Sequence, residues 1–110
     1  MYLTQGLHRS VQKHPERIAL RHLGEAGQTS WTFAHMFDEI GRRAATLRQQ
    51  GIEAGDRVAM LAPNNDQLIL NLLACWWLGA VACPMNTRWS GTEWRYAVTD
   101  CGAKLALFDD

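Results

Sequence analysis

A chain of 110 residues in which 47% are hydrophobic has the length of one domain and enough apolar material for a core, which argues against disorder. Eleven Lys plus Arg balance eleven Asp plus Glu, and the basic residues are scattered with no stripe among aromatics, so no electrostatic footprint marks a nucleic-acid or membrane-surface partner. Three cysteines, Cys75, Cys83 and Cys101, form no CxxC pair; this argues against a disulfide framework or zinc knuckle and reads them as small buried apolar residues.

The first segment, MYLTQGLHRSVQKHPER, has no uninterrupted apolar core followed by a small-residue cleavage site, so it is not a secretory signal and a cytoplasmic location is expected. Leu3, Leu7 and Val11 recur at helical spacing, and His14-Pro15 stops that helix because the residue before proline is pushed out of the helical region. RIALRHL, the turn GEAGQ and TSWTF predict a small hairpin. From Phe33 the period changes to that of a helix: Phe33, Met36, Phe37, Ile40, Ala44 and Leu47 share a face, Thr32 caps the start and Gly51 follows the end.

RVAMLA is a nearly all-apolar run suited to a strand covered on both faces. Pro63, Asn64 and Asn65 lead from it into LILNLLACWWLGAVACPM, residues 68–85, whose single polar side chain is Asn71. A membrane-spanning helix needs about 20 apolar residues. Gly79 and Pro84 break this run instead into a helix, Gln67 to Leu78 with Asp66 as its cap, and a short strand, AVAC. PMNTRW is the next loop, Ser90 and Glu93 match a capping box, the helix runs to about Asp100 with Gly102 beyond it, and AKLALF returns as a strand. The alternation predicts an α/β fold with a partly parallel sheet, flanking helices and right-handed crossovers. The helix with Leu68, Ile69, Leu70, Leu72, Leu73, Trp76, Trp77 and Leu78 is apolar nearly all round, so it is buried on more than one side. The expected cover for its second side is the rest of a longer chain or a partner.

There is no GxxxxGK[ST] loop, GxGxxG, GxSxG or HExxH. His8, His14, His22 and His35 are dispersed with no carboxylate at triad or metal spacing, and read as surface or partly packed residues. WSGTEW could cradle phosphate at a helix start, but no lysine follows and the capping box accounts for both Ser90 and Glu93. Asn64, Asn65, Asn86 and Arg88 fall in loops at the C-terminal ends of predicted parallel strands, the edge where open α/β sheets place ligands. Turn chemistry is the simpler account of the asparagines, and Arg88 is the better ligand candidate of the four.

HPERIAL, SWTFAHM, GIEAGDRVAMLAPN, LLACWWLGAVACPMN and DCGAKLALFDD, in that order and spacing, resemble the N-terminal region of adenylate-forming (AMP-binding) ligases, most closely the acyl-CoA synthetase branch. The resemblance covers nearly the whole chain. WTFAHM departs from the family's pattern at His35, where a Glu would complete a capping box with Thr32, and Asn86 replaces an acid of some relatives. It implies that residues 1–110 are the N-terminal subdomain part of the large domain of such an enzyme. It implies a two-step reaction in the complete enzyme: a carboxylate attacks the α-phosphate of ATP with Mg2+ assistance, giving an acyl-adenylate and pyrophosphate, and the thiol of CoA then displaces AMP. The family's phosphate loop, nucleotide contacts, magnesium-binding acid and C-terminal lysine all come later in relatives. No catalytic, cofactor-binding or metal residue is therefore assigned, the fragment alone is expected to be inactive, and its partner is the remainder of the ligase chain. An interaction module using the apolar helix for self-association, and a stand-alone α/β ligand-binding domain, are the alternatives.

Overall fold

A computed structural model describes residues 4–108. The chain runs α1 (Gln5–Lys13), β1 (Ile18–Gly24), β2 (Gly27–Thr32), α2 (Phe33–Gln49), β3 (Arg57–Leu61), α3 (Asp66–Trp77), β4 (Val81–Pro84), α4 (Gly91–Cys101) and β5 (Leu105–Phe108). Every element expected from the sequence is present; Leu3, the first residue of the expected α1 stripe, lies outside the described residues. β1 and β2 form an antiparallel hairpin whose register shifts between Ile18 and Leu20. β3 lies at the centre of a parallel sheet of order β4-β3-β5, with Ala59 opposite both Cys83 and Ala106. Val58, Ala59 and Met60 are all buried, as expected of a strand covered on both faces.

The local signals act as their chemistry requires. Thr32 Oγ1 accepts from the His35 amide at 3.1 Å, so α2 is capped at its start even though His35 provides no carboxylate for the reciprocal bond. Gly102 closes α4 with φ 69°, a left-handed conformation that glycine adopts without a Cβ penalty. Ser90 Oγ accepts from the Glu93 amide at 3.2 Å and donates to Glu93 Oε1 at 3.1 Å. Replacing Ser90 by Ala is expected to cost about 1 kcal/mol, the usual loss for such a cap, read as a lower urea midpoint at unchanged slope.

The start of α3 differs from the sequence expectation by one residue. Asn65, not Asp66, is the cap: its Oδ1 accepts from the Leu68 amide at 2.9 Å. Asp66 is the first helical residue, and its carboxylate reaches across to the hairpin. Both residue types cap well, so local preference does not separate them; the indole of Trp31 does.

The second side of α3 is covered in part within the chain. Leu70, Ala74 and Cys75 are fully buried, and Leu68, Leu72, Leu73 and Trp77 pack around the same core. α2 lies along α3 with Met36, Ile40, Ala44 and Leu47 turned inward. The Trp77 ring is 4.9 Å from those of Phe37 on α2 and His8 on α1. Two amphipathic helices of the same chain thus supply part of the cover, while Leu68, Leu72, Leu73, Trp76 and Trp77 stay half-buried and Ile69 is 38% exposed. Arg43 of α2 donates to Asn71 Oδ1 at 3.0 Å and to Gln67 Oε1 on α3, joining the two helices, and is held on its own helix by Glu39 Oε1 at 3.0 Å. The lone polar residue of the apolar run is one of its acceptors. Among the described residues, no helix is long and apolar enough to cross a membrane.

Candidate ligand edge of the parallel sheet

The sheet order fixes where a ligand could sit. From β3 the chain passes through α3 to β4 on one side; from β4 it passes through α4 back across β3 to β5. With both crossovers right-handed, opposite directions of travel put α3 and α4 on opposite faces. The loops leaving β3 and β4 therefore diverge, and a crevice opens between the carboxyl ends of those two strands, on the edge where open α/β sheets place ligands.

A cleft of about 380 Å³ occupies that place. Met60, Ala62, Pro63 and Asn64 line it from the β3 side, and Pro84, Met85, Asn86 and Thr87 from the β4 side, with Leu68 of α3 among its walls. The backbone holds the rim together, since the Met85 amide donates to the Met60 carbonyl at 2.7 Å. Of the four residues singled out from sequence, Asn64 and Asn86 meet in this cleft. Asn65 is used as the α3 cap, and Arg88 is exposed outside the lining. Asn86 Oδ1 accepts from the Arg88 amide at 2.9 Å, so turn chemistry accounts for its oxygen. Amides, one hydroxyl and apolar side chains line the cleft, with no carboxylate or cation. That set can orient a neutral polar edge or an extended chain, and it does not fit a magnesium ion or a triphosphate.

A second cleft of about 250 Å³ adjoins the first across Asn64 and Leu68 and is walled by Leu20, Arg21 and His22 of β1 with Asn65, Asp66 and Ile69. Here sequence reasoning missed a cluster. Asp66, 7% exposed, accepts from Trp31 Nε1 at 3.0 Å through Oδ2 and from its neighbour Gln67's amide at 3.0 Å through Oδ1. His22 Nδ1 stands 3.7 Å from the same Oδ1. Trp31 and His22 both belong to the hairpin, far from Asp66 along the chain, so no spacing rule could have joined them. Two of the other histidines pack against rings. His8 meets Phe37 edge-on and lies tilted against Trp77, and His35 lies tilted against Trp31, while His14 is exposed at the end of α1.

Neither Cys75 nor Cys83 carries an activated thiol. Burial pushes the Cys75 thiol up to about 11, and burial, then the neighbouring Cys101 thiol, raises Cys83. Cys75 is buried as expected; Cys83 and Cys101 are half-buried. Among the described residues, no group of three or more His, Cys, Asp or Glu could hold a metal ion.

Comparison with known proteins agrees with this geometry. The family model described as AMP-binding enzyme matches residues 7–110. A feruloyl-CoA synthase of an Amycolatopsis species is 36% identical over 99 residues, covering 90% of this chain and 19% of that protein. The O-succinylbenzoate coenzyme A synthetase of Bacillus subtilis, solved in complex with ATP and a magnesium ion, superposes with a TM-score of 0.84 at 32% identity, over 94% of this chain and 27% of that one. A fatty acyl CoA synthetase of Mycobacterium tuberculosis gives a TM-score of 0.88 at 30% identity, over 97% and 21%. The chain thus spans about a fifth of the length of the curated relative it matches.

Proposed function

Because the chain belongs to the AMP-binding enzyme family, we propose that residues 1–110 are the N-terminal part of an ATP-dependent acyl-CoA synthetase acting in the cytoplasm. The observation that carries this reading is the ordered match over residues 7–110. The complete enzyme would join a carboxylate to the α-phosphate of ATP, releasing pyrophosphate, and then pass the acyl group to the thiol of CoA as AMP leaves. The carboxylate is of the fatty or aromatic class, which the names of the relatives support.

ATP and magnesium find no fitting donors in this part of the chain. The cleft offers Asn64, Asn86 and Thr87, none of which carries the charge that a metal-bound triphosphate needs. The role of residues 1–110 is to form one wall of the domain. The α2–α3 pair and the buried β3 hold the β3 and β4 loops rigidly at the sheet edge, so that side chains supplied from elsewhere close over them.

The test is carboxylate-dependent exchange of labelled pyrophosphate into ATP. The product of the full reading frame should exchange with at least one aromatic or fatty acid, while the 110-residue chain alone stays at background. Turnover by the 110-residue chain, or none by a longer product across both acid classes, would reverse the proposal.

A further inference from the structure

α4 lies against one face of the parallel sheet, and strand register fixes which side chains it meets. Trp94 of α4 meets Phe108 with ring centroids 4.8 Å apart, and Arg57 Nη1 donates to the Cys101 carbonyl, at the end of the helix, at 2.6 Å. Phe108 is in register with Leu61 and Ala106 with Ala59, while Arg57 and Ala59 of β3 are in register with Val81 and Cys83 of β4. Side chains alternate between faces along a strand, so Arg57, Ala59, Cys83, Ala106 and Phe108 share the face that α4 covers. Ala59 and Ala106 have no bulk to hold the helix end away. Cys83 and Cys101 are accordingly neighbours, each half-buried. Cys75 stands apart on α3, across the sheet, at 0% exposure.

We propose that Cys83 and Cys101 are a redox pair that a peroxide converts into a disulfide, tying the end of α4 to the edge strand β4. The Cys101 sulfur attacks one oxygen of hydrogen peroxide, which leaves a sulfenic acid and releases water. Cys83 then attacks that sulfur, the S–S bond forms, and the displaced hydroxide departs with the Cys83 proton as a second water. Two electrons pass from the sulfurs to the peroxide oxygens. Cys101 is placed to react first, since its Sγ is held by a weak bond to the Val98 carbonyl at 3.4 Å. Burial, and then the neighbouring Cys101 thiol, raise Cys83 and suit it to the second step. The bond encloses residues 84–100, which include Met85, Asn86 and Thr87 of the cleft between β3 and β4, so oxidation fastens that wall to α4.

The test exposes the 110-residue chain and the product of the full reading frame to hydrogen peroxide, in native buffer and in concentrated urea. Remaining thiols are alkylated and tryptic peptides are read by mass spectrometry. Trypsin cuts after Arg88 and Arg95, between the two cysteines, so the linked pair appears as two peptides joined with the loss of two hydrogens. In native buffer the Cys83–Cys101 link should exceed the Cys75–Cys83 link about tenfold, whereas in urea the latter should lead because its shorter loop closes more readily. Cys83→Ser and Cys101→Ser should each abolish the link, and Cys75→Ala should leave it. Oxidation should raise the urea midpoint of the 110-residue chain, and dithiothreitol should return it to its starting value. A leading native link through Cys75, the same pattern in native buffer and in urea, links only between molecules, or sulfurs oxidised singly without a link would each overturn the pair.

Discussion

Replacing Leu70 by Ala is expected to lower the unfolding free energy by about 3 kcal/mol, within the range of about 2–5 for truncating a fully buried leucine. Leu70 is 0% exposed where α3 meets the core, among Ile40, Val58 and Met60, which are themselves buried to 1% exposure or less. The lost side chain leaves a void whose walls belong to α2, α3 and β3 at once, so collapse of one element cannot fill it. A domain of this size has a total stability of about 5–15 kcal/mol, so the variant should lose a large share of it. Urea denaturation followed by far-ultraviolet circular dichroism measures the change. Ile69→Ala one residue earlier, at 38% exposure, is the control and should cost less than about 1 kcal/mol. Equal losses at the two positions would mean that α3 is rotated from the face described.

The second large effect is expected at Asp66, where Asp66→Ala should cost about 2 kcal/mol. Its carboxylate is the acceptor for the Trp31 indole N–H, and removal leaves that donor without this partner at the seam between hairpin and helix. A two-stranded hairpin is marginal by itself, so β1 and β2 depend on what they dock against. The loss should therefore appear locally first, as a red shift of tryptophan emission and faster amide exchange in β1 and β2 before global unfolding. Asp66→Asn keeps an acceptor oxygen for Trp31 and should retain most of the stability. If Asp66→Asn is as damaging as Asp66→Ala, the negative charge beside His22 matters more than the hydrogen bond.

Most of the architecture is legible in the sequence because it follows from periodicity and punctuation. The shift from alternation to a 3.6-residue period at Phe33 marks the start of α2, and Gly51, Gly79 and Gly102 mark the ends of α2, α3 and α4. All three glycines have positive φ. Tertiary choice is what local patterns do not encode. Asn65 and Asp66 are both good caps, and only the position of Trp31 assigns one to the helix and the other to the hairpin. The apolar girth of α3 is plain from its residues, but which part of it is covered within the chain depends on the inward stripe of α2 and the rings of Phe37 and His8, whose approach to Trp77 is settled by packing between distant segments. The candidate site is half legible: loops at strand ends point to Asn64 and Asn86, whereas the cluster of His22, Trp31 and Asp66 joins distant segments through folding alone.

Arg43 has a consequence for how α2 and α3 can slide. Two apolar helix faces meet here, and apolar contact is non-directional, so it distinguishes one alignment only weakly from another displaced by about 5.4 Å. The guanidinium breaks that degeneracy, because its acceptors Gln67 and Asn71 occur once, four residues apart. Slipped one turn, Arg43 would face Asn71 and Cys75 in one direction, or Pro63 and Gln67 in the other, and lose an amide either way. The residue thus works as a key with two teeth, admitting a single alignment of otherwise interchangeable surfaces.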